Sequence, residues 1–278
     1  MGEGFIVSGS DGVRVYAGTS KEPLSACSLK GAGALCTAGG EVFAAGDEDN
    51  AIWRLNGDTL MPTGVFHGGP GIVQLLPSGD GKRLYALCAE ADSLLMLSAK
   101  NGAPMLLSRA GVNPCAMAMD ERGETIAVAG GACGEVLLLS AHSLCLNRRF
   151  GTCGMVFSVA IGANRIYALS LTETMNSVLT SFLPGGKRHE LPLCGMPGAL
   201  CLLPGCIAAA THRGLYFAAL DGSAVLRRFE SPGRAGRLFA LAEGILMTDI
   251  WNDTLFHMCM SPAKWRRIAQ GVRDCTML

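Results

Sequence analysis

Four groups of side chains in this 278-residue chain have types and spacings that could do chemistry. Arg234, Arg237 and Arg273 could grip a carboxylate or phosphate with forked guanidinium donors. Five histidines, His67, His142, His189, His212 and His257, could act as acids, bases or ligands, but they fall far apart in sequence. Asp11, Asp47-Glu48-Asp49, Glu90, Asp92, Glu173, Asp249 and Asp253 offer hard oxygen ligands for a divalent cation. Asp in a tight turn usually closes the turn with its own carboxylate, so no metal is expected. The twelve cysteines show no zinc-type two-residue gap; Cys194, Cys201 and Cys206 are the closest group. They read as small, reduced, buried hydrophobes. The chain has no phosphate-binding P-loop, no Gly-x-Ser-x-Gly elbow and no His-Glu-x-x-His, and no cofactor is expected.

What must position these residues is a repeat. Short apolar strands begin near Ile6, Val42, Leu84, Ile126, Ile166, Ile207 and Ile245, at gaps of 36, 42, 42, 40, 41 and 38 residues. Each is followed by a polar turn, a second apolar strand such as Leu94-Leu95-Met96-Leu97, a more polar strand, and a Gly-containing bend into another apolar strand. Four strands in roughly 40 residues, repeated seven times, is the period of an all-β, seven-bladed β-propeller with four-stranded antiparallel blades, spanning residues 1–278 as a single domain. The count of 37 Gly and 12 Pro suits many tight turns.

The bends Phe66-His67-Gly68-Gly69-Pro70-Gly71 and Leu193-Cys194-Gly195-Met196-Pro197-Gly198 align without a gap. Anchored on Pro70, the equivalent positions read Ala32, Pro70, Pro114, Val156, Pro197, Ala235 and Asp274. The first unit has no inner strand of its own, and Gly271-Val272-Arg273-Asp274-Cys275-Thr276-Met277-Leu278 matches Gly111-Val112-Asn113-Pro114-Cys115-Ala116-Met117-Ala118. The C-terminal strand, 272–278, should therefore complete blade one and close the ring.

Within this pattern, Gly71 to Pro114 resembles the YVTN-type β-propeller repeat, through Asp80-Gly81-Lys82-Arg83-Leu84-Tyr85, Asp92-Ser93-Leu94-Leu95-Met96-Leu97 and Gly111-Val112-Asn113-Pro114. The resemblance implies the fold. Its relatives include lactonases, lyases and interaction scaffolds, so it implies no one activity.

The residue before each anchor should face the channel rim: Gly31, Gly69, Asn113, Met155, Met196, Arg234 and Arg273. Blades seven and one are neighbours, so Arg234 and Arg273, with Arg237 and Asp274, form a cationic side opposite Met155 and Met196 with Cys153 and Cys194. His67 is placed beside the same mouth. The expected function is a binding or interaction module for a protein or a small anionic ligand seated there. The alternative is a propeller enzyme, a lactonase-type hydrolase or lyase acting on a sugar acid or lactone. Arg148-Arg149, Lys187-Arg188, Arg227-Arg228 and Arg266-Arg267 recur on outer strands, where they protect sheet edges or form a basic arc.

Formal net charge is zero, from 23 Lys and Arg against 23 Asp and Glu, so no nucleic acid or membrane partner is expected. The zero hides an asymmetry: residues 1–125 carry 9 basic and 14 acidic side chains, and residues 126–278 carry 14 and 9. A start lacking a basic and apolar leader, with no run of 18 apolar residues, points to a cytoplasmic monomer.

Overall fold

The inner-lying strands are continuous apolar runs such as Val42-Phe43-Ala44-Ala45, and because successive side chains point to opposite faces each sheet has two apolar faces and must be covered on both sides. In the second unit, Val42 and Ala44 pack toward Ile6, Val13 and Val15 of the first, whereas Phe43 and Ala45 pack toward Leu84, Ala86 and Cys88 of the third. The same arrangement recurs at all seven interfaces, so each sheet is buried between its two neighbours and the stack closes into a ring. The computed structural model describes residues 4–17, 20–29, 31–46, 50–162, 164–183, 185–242, 244–260 and 263–277.

Seven four-stranded antiparallel sheets form the blades. Blade one runs, from the channel outward, Asp274–Met277, Gly4–Gly9, Gly12–Ala17 and Ser25–Cys27. The C-terminal strand thus supplies the missing inner strand, with Ser8 opposite Asp274 and Phe5 opposite Met277. The remaining inner strands are Ala32–Ala38, Ile72–Pro77, Pro114–Met119, Met155–Gly162, Pro197–Leu203 and Ala235–Leu241. Outer strands after blade one are Pro62–His67, Pro104–Arg109, Leu146–Gly151, Arg188–Leu193, Val225–Phe229 and Ala263–Gln270. No helix among the described residues is long and apolar enough to cross a membrane.

Strand register corrects two of the seven anchors. Leu35, Leu75, Met117, Val159, Leu200, Leu238 and Cys275 pair with Ala44, Ala86, Val128, Ala168, Ala209, Met247 and Val7, and occupy one level of the ring. Counting back from that level, the blade-three anchor is Ile72 rather than Pro70, and the blade-one anchor is Val272 rather than Asp274. The gapless bend alignment misled because the two bends differ by two residues before the strand begins. Backbone conformation agrees with the corrected register. Gly31, Gly71, Asn113 and Gly271, each just before its anchor, all have left-handed φ of 73°, 65°, 50° and 69°, which favours Gly and Asn.

The register also exposes an alternation. The residues preceding that common level are Asp274, Ala34, Gln74, Ala116, Ser158, Ala199 and Arg237 in blades one to seven. Polar side chains occupy odd blades and alanine the even ones. Each polar group in blades one, three and five holds the inner strand of the next blade. Asp274 Oδ2 accepts the Leu35 N–H (2.9 Å), Ser158 Oγ accepts the Leu200 N–H (3.1 Å), and Gln74 both accepts the Met117 N–H (2.7 Å) and donates to its carbonyl (2.8 Å). These bonds satisfy backbone groups that the bulged strand ladder leaves open. Seven being odd, the alternation must fail once. It fails between blades seven and one, where Arg237 and Asp274 meet as an ion pair at 3.2 Å.

Candidate functional site: the channel mouth

The seven inner strands line a central channel of about 680 Å³. At its mouth the six complete inner strands carry a β-bulge, which turns an extra side chain inward. The channel-facing residues at this level include Val73, Cys115, Phe157 and Arg273. Arg273 therefore faces the mouth as expected, but from the bulge level and not from the level of Arg234.

Arg234 ends the bend leading into blade seven, and its guanidinium carbon lies 5.7 Å from the centre of the Phe157 ring on blade five. The side chain thus crosses in front of blade six. Its Nε is buried and has no hydrogen-bond partner among the described residues. Its backbone N–H donates to Asp249 Oδ1 (3.0 Å) and its carbonyl accepts the Ile250 N–H (3.0 Å). The bend and the neighbouring turn of blade seven are thereby locked together, with Ile250 lining the channel and Trp251 exposed beside it. The Trp251 ring lies 6.0 Å from the His212 ring of blade six, tilted by 48°. His212 Nδ1 accepts the Met196 N–H at 2.7 Å, which assigns the ring proton to Nε2.

Arg237 is not an open cation. Asp274 is buried and accepts from Arg237, Leu35 and its own neighbour Cys275. Burial raises its carboxyl above the ordinary range by more than the adjacent Arg237 lowers it. This quartet ties blades seven, one and two together and belongs to ring closure.

The other expected site residues separate. Asn113 is exposed, and its N–H donates to Asp92 Oδ1 (2.7 Å), which ties the bend into blade four to a hairpin turn of blade three. Met155 is exposed at the start of the blade-five inner strand, and Met196 is half-buried beside His212. His67 ends the outer strand of blade two, opposite Ala51, and does not line the channel. Register puts His67 level with Gly151, not with Cys153 and Cys194.

Of the acidic turn residues, Asp92 and Asp249 are taken up by hydrogen bonds within the fold. Asp249 is buried and accepts from Arg234, Trp251 and Asn252, and no metal-holding cluster occurs among the described residues. Asp47, Glu48 and Asp49 lie outside the described residues. All twelve cysteines are free thiols. Burial pushes the Cys36 and Cys275 thiols well up. Cys115 is exposed as a residue, but its Sγ turns back to donate to the Val156 carbonyl (3.0 Å), and burial raises that thiol to about 12. These channel thiols are protonated and poor nucleophiles.

The dibasic pairs sit at the outer strands and largely engage their own surroundings. Arg149 pairs with Glu135 (3.1 Å), Arg188 with Glu190 (3.1 Å), and Arg148 and Arg228 lie over Phe150 and Tyr216.

Exposed large apolar side chains are distributed unevenly. Val73, Val112, Met155, Met175, Ile250 and Trp251 all lie on the mouth face, in bends, bulges or turns. The others occur on outer strands or the connections entering them, and none stands at the opposite end of the channel among the described residues. Sequence reasoning missed Phe157, His212, Ile250 and Trp251. The bulge that aims Phe157 is invisible to period counting, but Ile250-Trp251 within a polar hairpin turn was a usable signal.

Fold and register together define a seven-bladed β-propeller with a cationic, partly aromatic channel mouth. Solved structures of similar shape include a functionally unknown protein from Desulfotomaculum acetoxidans DSM 771, with 12% identity, TM-score 0.78, and coverage of 98% of this chain and 96% of that one. Hydrazine synthase of Kuenenia stuttgartiensis matches at 13% identity and TM-score 0.73, over 83% and 77%. Streptogramin B lyase matches at 14% and 0.69, over 86% and 83%. At these identities the likeness shows the fold alone. No family model and no curated protein matches the chain.

Proposed function

We propose that the protein is a binding module whose ligand carries a carboxylate or phosphate and seats at the channel mouth. Arg234 carries this reading: its buried Nε has no partner among the described residues and its guanidinium is held over Phe157, at a mouth that Arg273 also faces. A guanidinium edge held in this way suits an oxyanion. The apolar residues around the mouth supply the area against which the rest of the ligand packs.

The enzyme reading, a lactonase-type hydrolase or lyase, draws on the likeness to streptogramin B lyase. It has less support, because His67 stands on an outer strand and the Asp249 and Asp92 carboxylates already accept backbone N–H groups of adjoining bends.

A thermal-shift panel of sugar acids, their lactones, phosphate and divalent metals tests the choice. An anion at 100 times its Kd should add about 2.7 kcal/mol, or roughly 5 °C for a domain of this size. Arg234→Gln should abolish the shift. A shift given only by divalent metals, or one that persists in Arg234→Gln, would count against the proposal.

A further inference from the structure

The mouth is lined by more than positive charge, and its aromatic groups are linked to one another. Phe157 on blade five lies under the Arg234 guanidinium of blade seven. Ile250 is bonded through its backbone to Arg234, and next to it the Trp251 ring lies tilted against His212 of blade six, which in turn is fixed to Met196. Three consecutive blades thus build one cup. Two aromatic rings, an imidazole, an isoleucine and a thioether stand together there, and the buried Arg234 Nε has no hydrogen-bond partner among the described residues. Arg237, the nearest alternative cation on the same inner strand, is already neutralised by Asp274.

We infer that this cup takes an aromatic monocarboxylate, with the carboxylate on Arg234 and the ring against Trp251 and Phe157; the inference rests on the anion-binding reading above and adds the ligand class. An aromatic ring is favoured over an aliphatic chain for two reasons. Exposed Trp and Phe faces gain from ring–ring geometry beyond area burial. A guanidinium already sandwiched on one side by Phe157 also offers its other face to a second ring. A single carboxylate matches the single guanidinium of this cup whose Nε has no partner among the described residues. The channel cavity of about 680 Å³, which Phe157, Ile250 and Arg273 line, has room for a two-ring acid.

The test is calorimetric titration of the full chain with three probes: 2-naphthoate, acetate, and uncharged 2-naphthalenemethanol. Naphthoate should bind roughly tenfold or more tighter than either of the others, since ring and charge each contribute at least about 1.4 kcal/mol. Trp251→Ala should weaken naphthoate roughly tenfold and leave acetate unchanged, while Arg234→Gln weakens both. Trp251 is exposed, so its replacement does not threaten folding. Acetate binding as tightly as naphthoate would overturn the aromatic assignment and leave the anion site standing. Naphthalenemethanol binding as tightly as naphthoate, or naphthoate binding indifferent to both substitutions, would overturn the placement. Failure of every anion to bind would overturn the anion-site reading together with this one.

Discussion

Deleting residues 271–278 is expected to unfold the protein or drive it into aggregates. The strand Asp274–Met277 is the inner strand of blade one, and without it Gly4–Gly9 becomes an open edge on the channel. Several cross-ring bonds vanish with it. Thr37 Oγ1 loses the Met277 carbonyl (2.9 Å), Leu35 N–H loses Asp274, and Arg14 loses one of its two backbone acceptors, Gly271 (3.1 Å). Val272 and Cys275 are buried in the cluster that joins blades seven and one, so Phe5, Val7 and Leu246 would meet water. Whole domains are stable by only about 5–15 kcal/mol, and losses on this scale consume that margin. Size-exclusion chromatography and thermal melting by circular dichroism provide the readout. A truncated chain that stays monomeric with an unchanged Tm would show that the ring does not depend on the latch.

The second large effect concerns the failed alternation. Asp274→Ala leaves the buried Leu35 and Cys275 N–H groups without acceptors and strands Arg237, and should cost about 3 kcal/mol. Asp274→Asn keeps an acceptor oxygen and should cost much less. The pH dependence separates geometry from charge. Burial raises the Asp274 carboxyl above its ordinary value of 3.8. Between that value and the raised one, the folded protein holds a proton that the unfolded chain has lost. Stability contributed by this group is therefore full below the ordinary value and is lost as pH rises through the raised one. Wild type should consequently gain stability relative to Asp274→Asn on acidification from neutral pH through the carboxylate range. Urea melts at several pH values measure this. A gap that moves the other way would mean that the Arg237 attraction outweighs burial, and that the ion pair stabilises by charge.

Much of the architecture was legible because it depends on periods. The strand starts at Ile6, Val42, Leu84 and onward reflect a packing unit that every blade must repeat, and the C-terminal match to Gly111–Ala118 marked the closing strand. Register within the bends was less legible. Pro70 looked like an anchor because a Pro opens the inner strands at Pro114 and Pro197, yet the left-handed position is set by Gly71, two residues before Val73. A separate two-residue slip, in the match of Gly271–Leu278 to Gly111–Ala118, placed Arg273 level with Arg234, when it sits at the bulge. Of the expected site, Arg273 lines the channel and Arg234, Met155 and Met196 stand where the bends enter the inner strands, whereas Arg237 is absorbed into ring closure and His67 into an outer strand. The aromatic part escaped notice because Phe157 and Trp251 reach the mouth by a bulge and a turn, features that alternate-residue counting does not resolve.

The most direct test is a crystal structure of the protein at saturating 2-naphthoate, paired with an acetate soak. An anion seated within hydrogen-bonding distance of Arg234 and contacted by side chains from blades five, six and seven is the predicted result. A mouth holding only ordered water under conditions where the same ligand raises Tm, or a ligand bound elsewhere on the ring, would contradict it.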